Sequence, residues 1–312
     1  MEKYFSIEEI PQFNKCILTI GTFDGLHRGH QEIIKHLVSL GQGKGIESIL
    51  VTFNPHPRKI LTDDDISLIQ SLEQKLKIVE KLHIDNVIVI PFTEEFAKLS
   101  AETFLDSVIK PKLNPEHIVI GYDHHFGKDR EGSPKFMENY CKKYNIGLDI
   151  INPVSDEGNK ISSTGIRELI KNGFVRRASF ELGSVFGFGA TVVHGKGRGH
   201  LLNYPTANIV PIEQKQLLPK PGVYFTRGRV DGHQLYGMCN FGVRPTFSEN
   251  ELIMEVHFFD PEITDLYERK VYIEFLERIR DEKKFKYEGD LKKQLINDEI
   301  LCKSLQNKYE QT

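Results

Sequence analysis

The chain has 312 residues, 27% of them charged and 39% hydrophobic, with a formal net charge of −3. That length favours two domains, each able to bury a core, and the near-balanced charge gives no general electrostatic case for nucleic acid or an anionic membrane, so any phosphate must be held by local basic groups. Cys16, Cys141, Cys239 and Cys302 form no C-x-x-C pair, the start MEKYFSIEEI is acidic, and no run reaches about 18 apolar residues; these features speak against a zinc or disulfide scaffold, export and membrane insertion, and fit a reduced, cytoplasmic setting.

In chain order, residues 16–20 (CILTI) read as a buried strand, and Ile33, Ile34, Leu37, Val38 and Leu40 as one face of a helix. Between them lies Gly21-Thr22-Phe23-Asp24-Gly25-Leu26-His27-Arg28-Gly29-His30. Glycines let backbone approach a ligand closely, and the free N–H groups of a helix start attract anions. His27 and His30, three residues apart, project on one side, where both imidazoles could donate to one phosphate. Either histidine alone is more often a capping or surface residue. With the glycines and Asp24 the stretch reads as a phosphate-binding turn.

Residues 48–53 form a second β-rich run that ends at Asn54-Pro55-His56-Pro57-Arg58, where two prolines hold an extended loop at the strand's carboxyl end. In open parallel sheets ligands sit at that end. A helical stretch at 72–82, a strand at 86–90, a helix around 101–109 and a strand at 117–121 repeat the alternation, which implies βαβ units and a covered parallel sheet.

The last of these strands runs into Gly121-Tyr122-Asp123-His124-His125-Phe126-Gly127-Lys128. Asp123, His124 and His125 offer a metal-ligand reading, although neighbours in extended chain point to opposite sides. Ile161-Ser162-Ser163-Thr164-Gly165-Ile166-Arg167 reads as a helix start with Ser163 or Thr164 as its cap. Its hydroxyls, helix N–H groups and Arg167 would also make an anion site.

The pattern changes after Gly173. Residues 174–183 read as a connecting helix, placing a domain boundary at 182/183 between domains 1–182 and 183–312. Short β-rich runs at 185–193, 223–230, 235–241, 252–259 and 271–276 then suggest a small antiparallel barrel, followed by a helix over 288–305. Between the first two runs, Gly195, Gly197 and Gly199 alternate with Lys196 and Arg198. This is not a Walker A loop; it reads as a backbone nest for phosphates or as a flexible basic hairpin. On 252–258, strand alternation sets Glu255 and His257 on the face opposite Leu252, Met254 and Val256.

Taken together, these stretches resemble a known family. The G-x-F-D-G-x-H-x-G-H run is similar to the signature of the nucleotidyltransferase superfamily, and specifically of the bacterial bifunctional riboflavin kinase/FMN adenylyltransferases. Pro205-Thr206-Ala207-Asn208 matches the P-T-A-N motif of riboflavin kinases. The resemblance extends from about residue 15 to about 300. It implies an α/β fold, a Rossmann-like nucleotidyltransferase domain with a parallel sheet, followed by a small antiparallel β-barrel kinase domain with a C-terminal helix.

The resemblance also implies roles. In the first domain His27, His30 and Arg167 would catalyse adenylyl transfer, with Gly21, Phe23, Asp24, Gly25, Gly29, Ser162, Ser163 and Thr164 on the phosphates of ATP and Asn54, His56, Pro57, Asp123, Phe126 and Gly127 on the flavin. In the second, Gly195, Lys196, Gly197, Arg198 and Gly199 would take ATP, Thr206 and Asn208 would ligate Mg²⁺, Arg244 would contact the flavin, and Glu255 would be the general base. The chain departs from the family at His124, where an aromatic is usual, and at His125 and Gly165, where Arg is common. Asn203-Tyr204 replaces Gly-Phe, and Glu268 replaces Gly.

The implied partners are riboflavin, FMN and ATP, with no nucleic acid or membrane, and the oligomeric state stays open, a monomer included. The rivals are an enzyme with one activity lost and a non-catalytic flavin-binding regulator. His27, His30, Thr206, Asn208 and Glu255 argue against the regulator, which needs neither a base nor a metal ligand. A class I aminoacyl-tRNA synthetase shares the histidine turn but would need a K-M-S-K-S-like loop and an anticodon-binding region, and neither is evident.

Overall fold

The computed structural model describes residues 1–61, 66–194, 204–245, 250–260 and 266–310; the side chains of 243–245 and 250–252 lie outside the description. The chain packs as two compact units, Met1–Leu68 with Leu72–Ser163, and Ile69–Ser71 with Thr164–Thr312.

The first unit is built on a parallel sheet. Its strands are β1 (Glu2–Tyr4), β2 (Cys16–Ile20), β3 (Ser48–Asn54), β4 (Asn86–Pro91), β5 (Pro115–Gly121) and β6 (Gly147–Ile151), in the order β1-β4-β3-β2-β5-β6. Every pairing is parallel. All five residues of β2 are buried, because both faces of the sheet are covered. Ile17 packs with Ile34, Leu37 and Leu50 on the side of helix α1 (Arg28–Lys44), whereas Cys16, Leu18 and Ile20 pack on the other side with Phe53, Phe104 and Met137. Uninterrupted apolar strands are the signature of that arrangement, and it is why β2 to β5 were recognisable from sequence.

Two strands and a helix of this unit give weaker signals. β1 is three residues with two charges, and β6 carries Asp149 in its middle. The helix Pro134–Tyr144 announces itself only through its cap, Ser133, whose hydroxyl accepts the Phe136 N–H just before a proline at the first turn.

The second unit is a closed antiparallel barrel. Its strands run in the spatial order Ala207–Pro211, Asn250–Phe258, His233–Pro245, Gly222–Val230, Lys270–Arg280 and Gly187–Val193, the last pairing back to the first. The strand Ala207–Pro211 falls inside what the sequence presents as a loop, since it is flanked by prolines and buries only Ile209 of its five residues. Phe186, Phe188, Tyr224 and Phe275 are fully buried, with Phe188 and Phe275 ring centroids 5.5 Å apart.

The helix Glu288–Glu310 packs through Cys302, Leu295 and Leu305 against Phe225, Tyr236 and Leu276. It is fastened by Arg280, whose guanidinium forks onto Asp298 at 3.0, 3.0 and 2.7 Å, while Gln294 donates to the same carboxylate at 2.8 Å. Asp298 is 2% exposed, so this pair is a buried clamp rather than a surface contact.

Candidate active sites

The first site grows from the end of β2. The Gly21 N–H donates to the Val51 carbonyl at 3.0 Å, and the chain then turns through left-handed residues at Phe23 (φ 46), Gly25 (φ 75) and Leu26 (φ 36). It recovers at His27, whose extended backbone makes it the N-cap of α1. The His27 Nδ1 accepts the His30 N–H at 3.4 Å, so its proton resides on Nε2, which is left to donate. Only Gly25 of the three glycines needs a positive φ. Gly29 is required for another reason: a Cβ there would lie 3.1 Å from His27 Cε1.

The two imidazoles stack with centroids 3.7 Å apart, and the Phe23 ring meets His30 edge-on at 5.4 Å. Burial pushes the His27 pKa down to about 4, although Asp24 and Asp123 oppose it. His30 is also held well below its ordinary value, by burial first and then by His27 and Lys75. Both rings are therefore neutral near pH 7. The buried His30 Nδ1 has no hydrogen-bond partner among the described residues.

Of the other predicted residues, Ser163 and His56 reach this turn. Ser163 Oγ donates to the Asp24 carbonyl at 2.8 Å, which ties the S-S-T segment to it. The helix Ser163–Lys171 starts at Ser163, so its flanking residue is Ser162 rather than Ser163 or Thr164. Arg167 is buried one turn further along, and Thr164 is exposed. The loop after β3 brings His56 Nε2 to 3.9 Å from Asp24 Oδ2, with Asn54 exposed and Pro57 partly buried beside it.

Lys75 was not singled out from sequence. It sits on the helix Leu72–Lys81, is 8% exposed, and donates to the Thr22 carbonyl at 2.7 Å and to Thr52 Oγ1 at 3.4 Å. A single lysine on an amphipathic helix gives no signal that its ammonium will be buried.

At the G-Y-D-H-H-F-G stretch, two residues expected to contact the flavin also have packing roles. Phe126 meets Phe104 and Phe136 edge-on at 6.0 and 6.3 Å, as part of an aromatic cluster that includes Phe53, Phe92 and Phe96. Gly127 has φ 72, and a Cβ there would lie 2.6 Å from the Ala101 nitrogen. Asp123 is exposed, and its carbonyl bonds His125 Nδ1 at 2.9 Å. His124 points inward: its Nε2 is buried without a partner among the described residues, and burial with His125 alongside lowers its pKa to about 4. The metal reading of these residues is not supported, because among the described residues no group of three or more His, Cys, Asp or Glu is placed to hold a metal ion.

The second site lies on the barrel. Register pairs Asn208 with Glu255 and Glu255 with Asn240 across three adjacent strands. Residues directly opposite in an antiparallel pair share a face, with Cβ atoms about 5 Å apart, so the Asn208 amide and the Glu255 carboxylate are neighbours. Thr206 precedes this strand. His257 Nδ1 donates to the Pro205 carbonyl at 2.8 Å, and its ring meets Tyr204 edge-on at 5.0 Å. The Tyr204 hydroxyl donates to Glu299 at 2.8 Å, which gives the substitution of Phe by Tyr a use: it ties P-T-A-N to the C-terminal helix.

Glu268 stands at φ 63, the left-handed conformation that a glycine would adopt freely. Glu282 lies over Gly242, where a Cβ would be 1.8 Å from its Oε1. Gly195, Lys196, Gly197, Arg198 and Gly199 lie outside the described residues, as does the side chain of Arg244.

Comparison with known proteins agrees with this geometry. A family model for FAD synthetase matches residues 9–165, and one for riboflavin kinase matches 182–305. The bifunctional riboflavin kinase/FMN adenylyltransferase of Buchnera aphidicola subsp. Acyrthosiphon pisum is 33% identical over 306 residues, 96% of this chain and 97% of that protein. The protein of the same description in Bacillus subtilis is 35% identical over 289 residues, 91% of this chain and 90% of its own. A crystal structure of a Streptococcus pneumoniae protein described as a macrolide-efflux protein superposes with a TM-score of 0.89 at 30% identity, covering 97% of this chain and 99% of that one. Among the described residues of this chain no helix is long and apolar enough to cross a membrane.

Proposed function

The chain belongs to the bifunctional riboflavin kinase/FMN adenylyltransferase family, and from that premise we propose how its residues divide the work. It is an enzyme of FAD biosynthesis: one module phosphorylates riboflavin with ATP to give FMN, and the other joins FMN to the adenylyl group of a second ATP and releases pyrophosphate. We take residues 1–182 as the adenylyltransferase and 183–312 as the kinase. The buried, unbridged thiols of all four cysteines suit a reducing cytoplasm, and the substrates are the small molecules riboflavin, FMN and ATP.

In adenylyl transfer a phosphate oxygen of FMN attacks the α-phosphorus of ATP in line, and pyrophosphate leaves. Such a reaction asks for positioning and charge neutralisation more than for a strong base. His27 and His30 are neutral and so act as hydrogen-bond donors that fix the phosphates, His27 through Nε2–H. Positive charge has to come from elsewhere, and Arg167 supplies part of it. Gly21, Phe23, Asp24, Gly25, Gly29, Ser162, Ser163 and Thr164 form the cradle, and the Asn54, His56, Pro57 and Asp123 region receives the flavin.

In the kinase, Glu255 takes the proton of the ribityl 5′-hydroxyl as that oxygen attacks the γ-phosphorus of ATP, the bond to the β–γ bridging oxygen breaks and ADP leaves. Thr206 and Asn208 present the oxygen donors that a hard cation such as Mg²⁺ prefers, and Mg²⁺ keeps most of its shell for phosphates and water, so two protein oxygens suffice. When bound, the ion neutralises charge on the transferring phosphoryl group. His257 holds Pro205 and hence the approach of Thr206.

The observation that supports this reading is the pairing of Asn208 with Glu255, neighbours on one barrel face, the first our proposed metal ligand and the second our proposed base. His30→Ala is expected to abolish FAD formation while riboflavin phosphorylation survives, and Glu255→Ala to do the reverse. Loss of both activities in either folded variant overturns the division.

A further inference from the structure

Lys75 forms a closed triangle with the phosphate turn. Its ammonium donates to the Thr22 carbonyl at 2.7 Å and to Thr52 Oγ1 at 3.4 Å, and the Thr52 hydroxyl in turn donates to the same Thr22 carbonyl at 3.2 Å. All three groups are on different elements: the helix Leu72–Lys81, β3 and the turn itself. The Thr22 oxygen is thereby fixed from two directions.

The next peptide N–H is fixed with it. The Thr22 carbonyl and the Phe23 N–H belong to one planar trans unit and point opposite ways, so an oxygen held down onto Lys75 aims the Phe23 N–H away from the sheet. No described residue accepts from that N–H. Phe23 itself sits at φ 46, ψ 46, a left-handed conformation that is unfavourable for a non-glycine residue and persists only when its surroundings impose it. The Lys75 and Thr52 hydrogen bonds hold the peptide that enters it.

The charge matters as well. His27 and His30 are neutral, so they cannot offset the charge that builds on the phosphates. Lys75 is buried beside Asp24 and close enough to His30 to lower its pKa. A buried ammonium under this turn is a preorganised positive potential, worth more there than in water.

We propose that Lys75 is a positioning residue for adenylyl transfer, turning the Thr22–Phe23 peptide so that the Phe23 N–H faces the phosphates and placing a fixed positive charge behind it. This rests on the reading of the histidine turn as the adenylyl-transfer site. Burial, opposed by Asp24, brings the Lys75 pKa down to about 8. The groups facing it are Asp24 and His30, and His27 and His56 reach it only through Asp24.

The test uses the full chain, with FAD formation from FMN, ATP and Mg²⁺ read beside riboflavin phosphorylation in the same preparation. Lys75→Met is expected to lower kcat for FAD formation about 100-fold, the loss typical of removing a preorganised donor, with riboflavin phosphorylation within about twofold. Lys75→Gln keeps a donor for the Thr22 carbonyl without the charge, so it separates holding the turn from charging it, and it carries the test if the Met variant does not fold. It is expected to lose at least about tenfold.

In the wild type, kcat/KM for FMN is expected to fall above about pH 8, and Lys75→Arg to move that fall beyond about pH 10, because guanidinium does not titrate there. A role confined to folding would leave the pH profile in place. Met and Gln variants that both make FAD at the wild-type rate overturn the proposal, with the histidine reading intact if His30→Ala is inactive in the same assay. If His30→Ala is active too, the reading of the turn fails and the proposal with it.

Discussion

His27 and His30 are bonded to each other twice over: His27 Nδ1 accepts the His30 N–H at 3.4 Å, and the rings stack with centroids 3.7 Å apart. One residue is thus the helix cap and, in the proposed function, also a phosphate ligand. His27→Asn separates the two roles, because Asn is a good N-cap but lacks an Nε2–H at that reach. It should leave the melting temperature within about 2 °C while lowering FAD formation about 100-fold. His27→Ala should do both kinds of damage, losing about 1 kcal/mol of stability as well. Thermal melts and FAD assays on the two variants check this.

Acid should unfold the first unit earlier than ordinary carboxylate titration predicts. His27 and His124 have folded pKa values of about 4 against an ordinary 6.5, so the unfolded chain binds protons that the native one refuses. Their contribution is intact above about pH 6.5 and is lost as pH falls toward 4, by about 3 kcal/mol for each group. Urea denaturation between pH 7 and pH 4.5 measures it. His124→Phe should flatten the decline by roughly a third, because His27 and His30 remain depressed, and leave the pH 7 stability equal or higher.

The clamp between Arg280 and Asp298 should be costly to break on one side. Asp298→Ala leaves a buried guanidinium without its carboxylate, for which about 3–5 kcal/mol is expected. Riboflavin phosphorylation should fall with the loosened helix, whereas FAD formation from supplied FMN persists. Denaturant titration together with the two assays tests both parts.

His257 offers a milder change. His257→Ala removes the hydrogen bond to the Pro205 carbonyl and frees the residues that lead into Thr206 and Asn208. Riboflavin phosphorylation should drop about tenfold, in keeping with about 1.4 kcal/mol, and the Mg²⁺ concentration for half-maximal rate should rise. His257→Gln, which retains a donor, should recover part of the loss.

How far the sequence leads depends on whether a feature is local. β2 could be read because a strand covered on both faces is apolar throughout, and the G-T-F-D-G turn because its glycines and histidines lie within ten residues. Ala207–Pro211 could not be read as a strand, since one of its two partners, Asn250–Phe258, lies some fifty residues further along the chain; the same register is what sets Asn208 beside Glu255. Lys75 was hidden for a related reason. Nothing local distinguishes it from Lys77 on the same helix, which pairs with Glu73 at the surface; only the approach of β3 and the turn buries it. Phe126 and Gly127 show the converse, motif residues whose identity is already explained by the aromatic cluster and by the Ala101 backbone.

The central claim is that two working sites lie on one chain, and the most direct measurement is chromatography of the flavins formed when the purified protein is incubated with riboflavin, ATP and Mg²⁺, beside a reaction begun from FMN. The account predicts FMN followed by FAD in the first reaction and FAD in the second. Absence of FMN from the first, or of FAD from the second, with the protein folded, would contradict it.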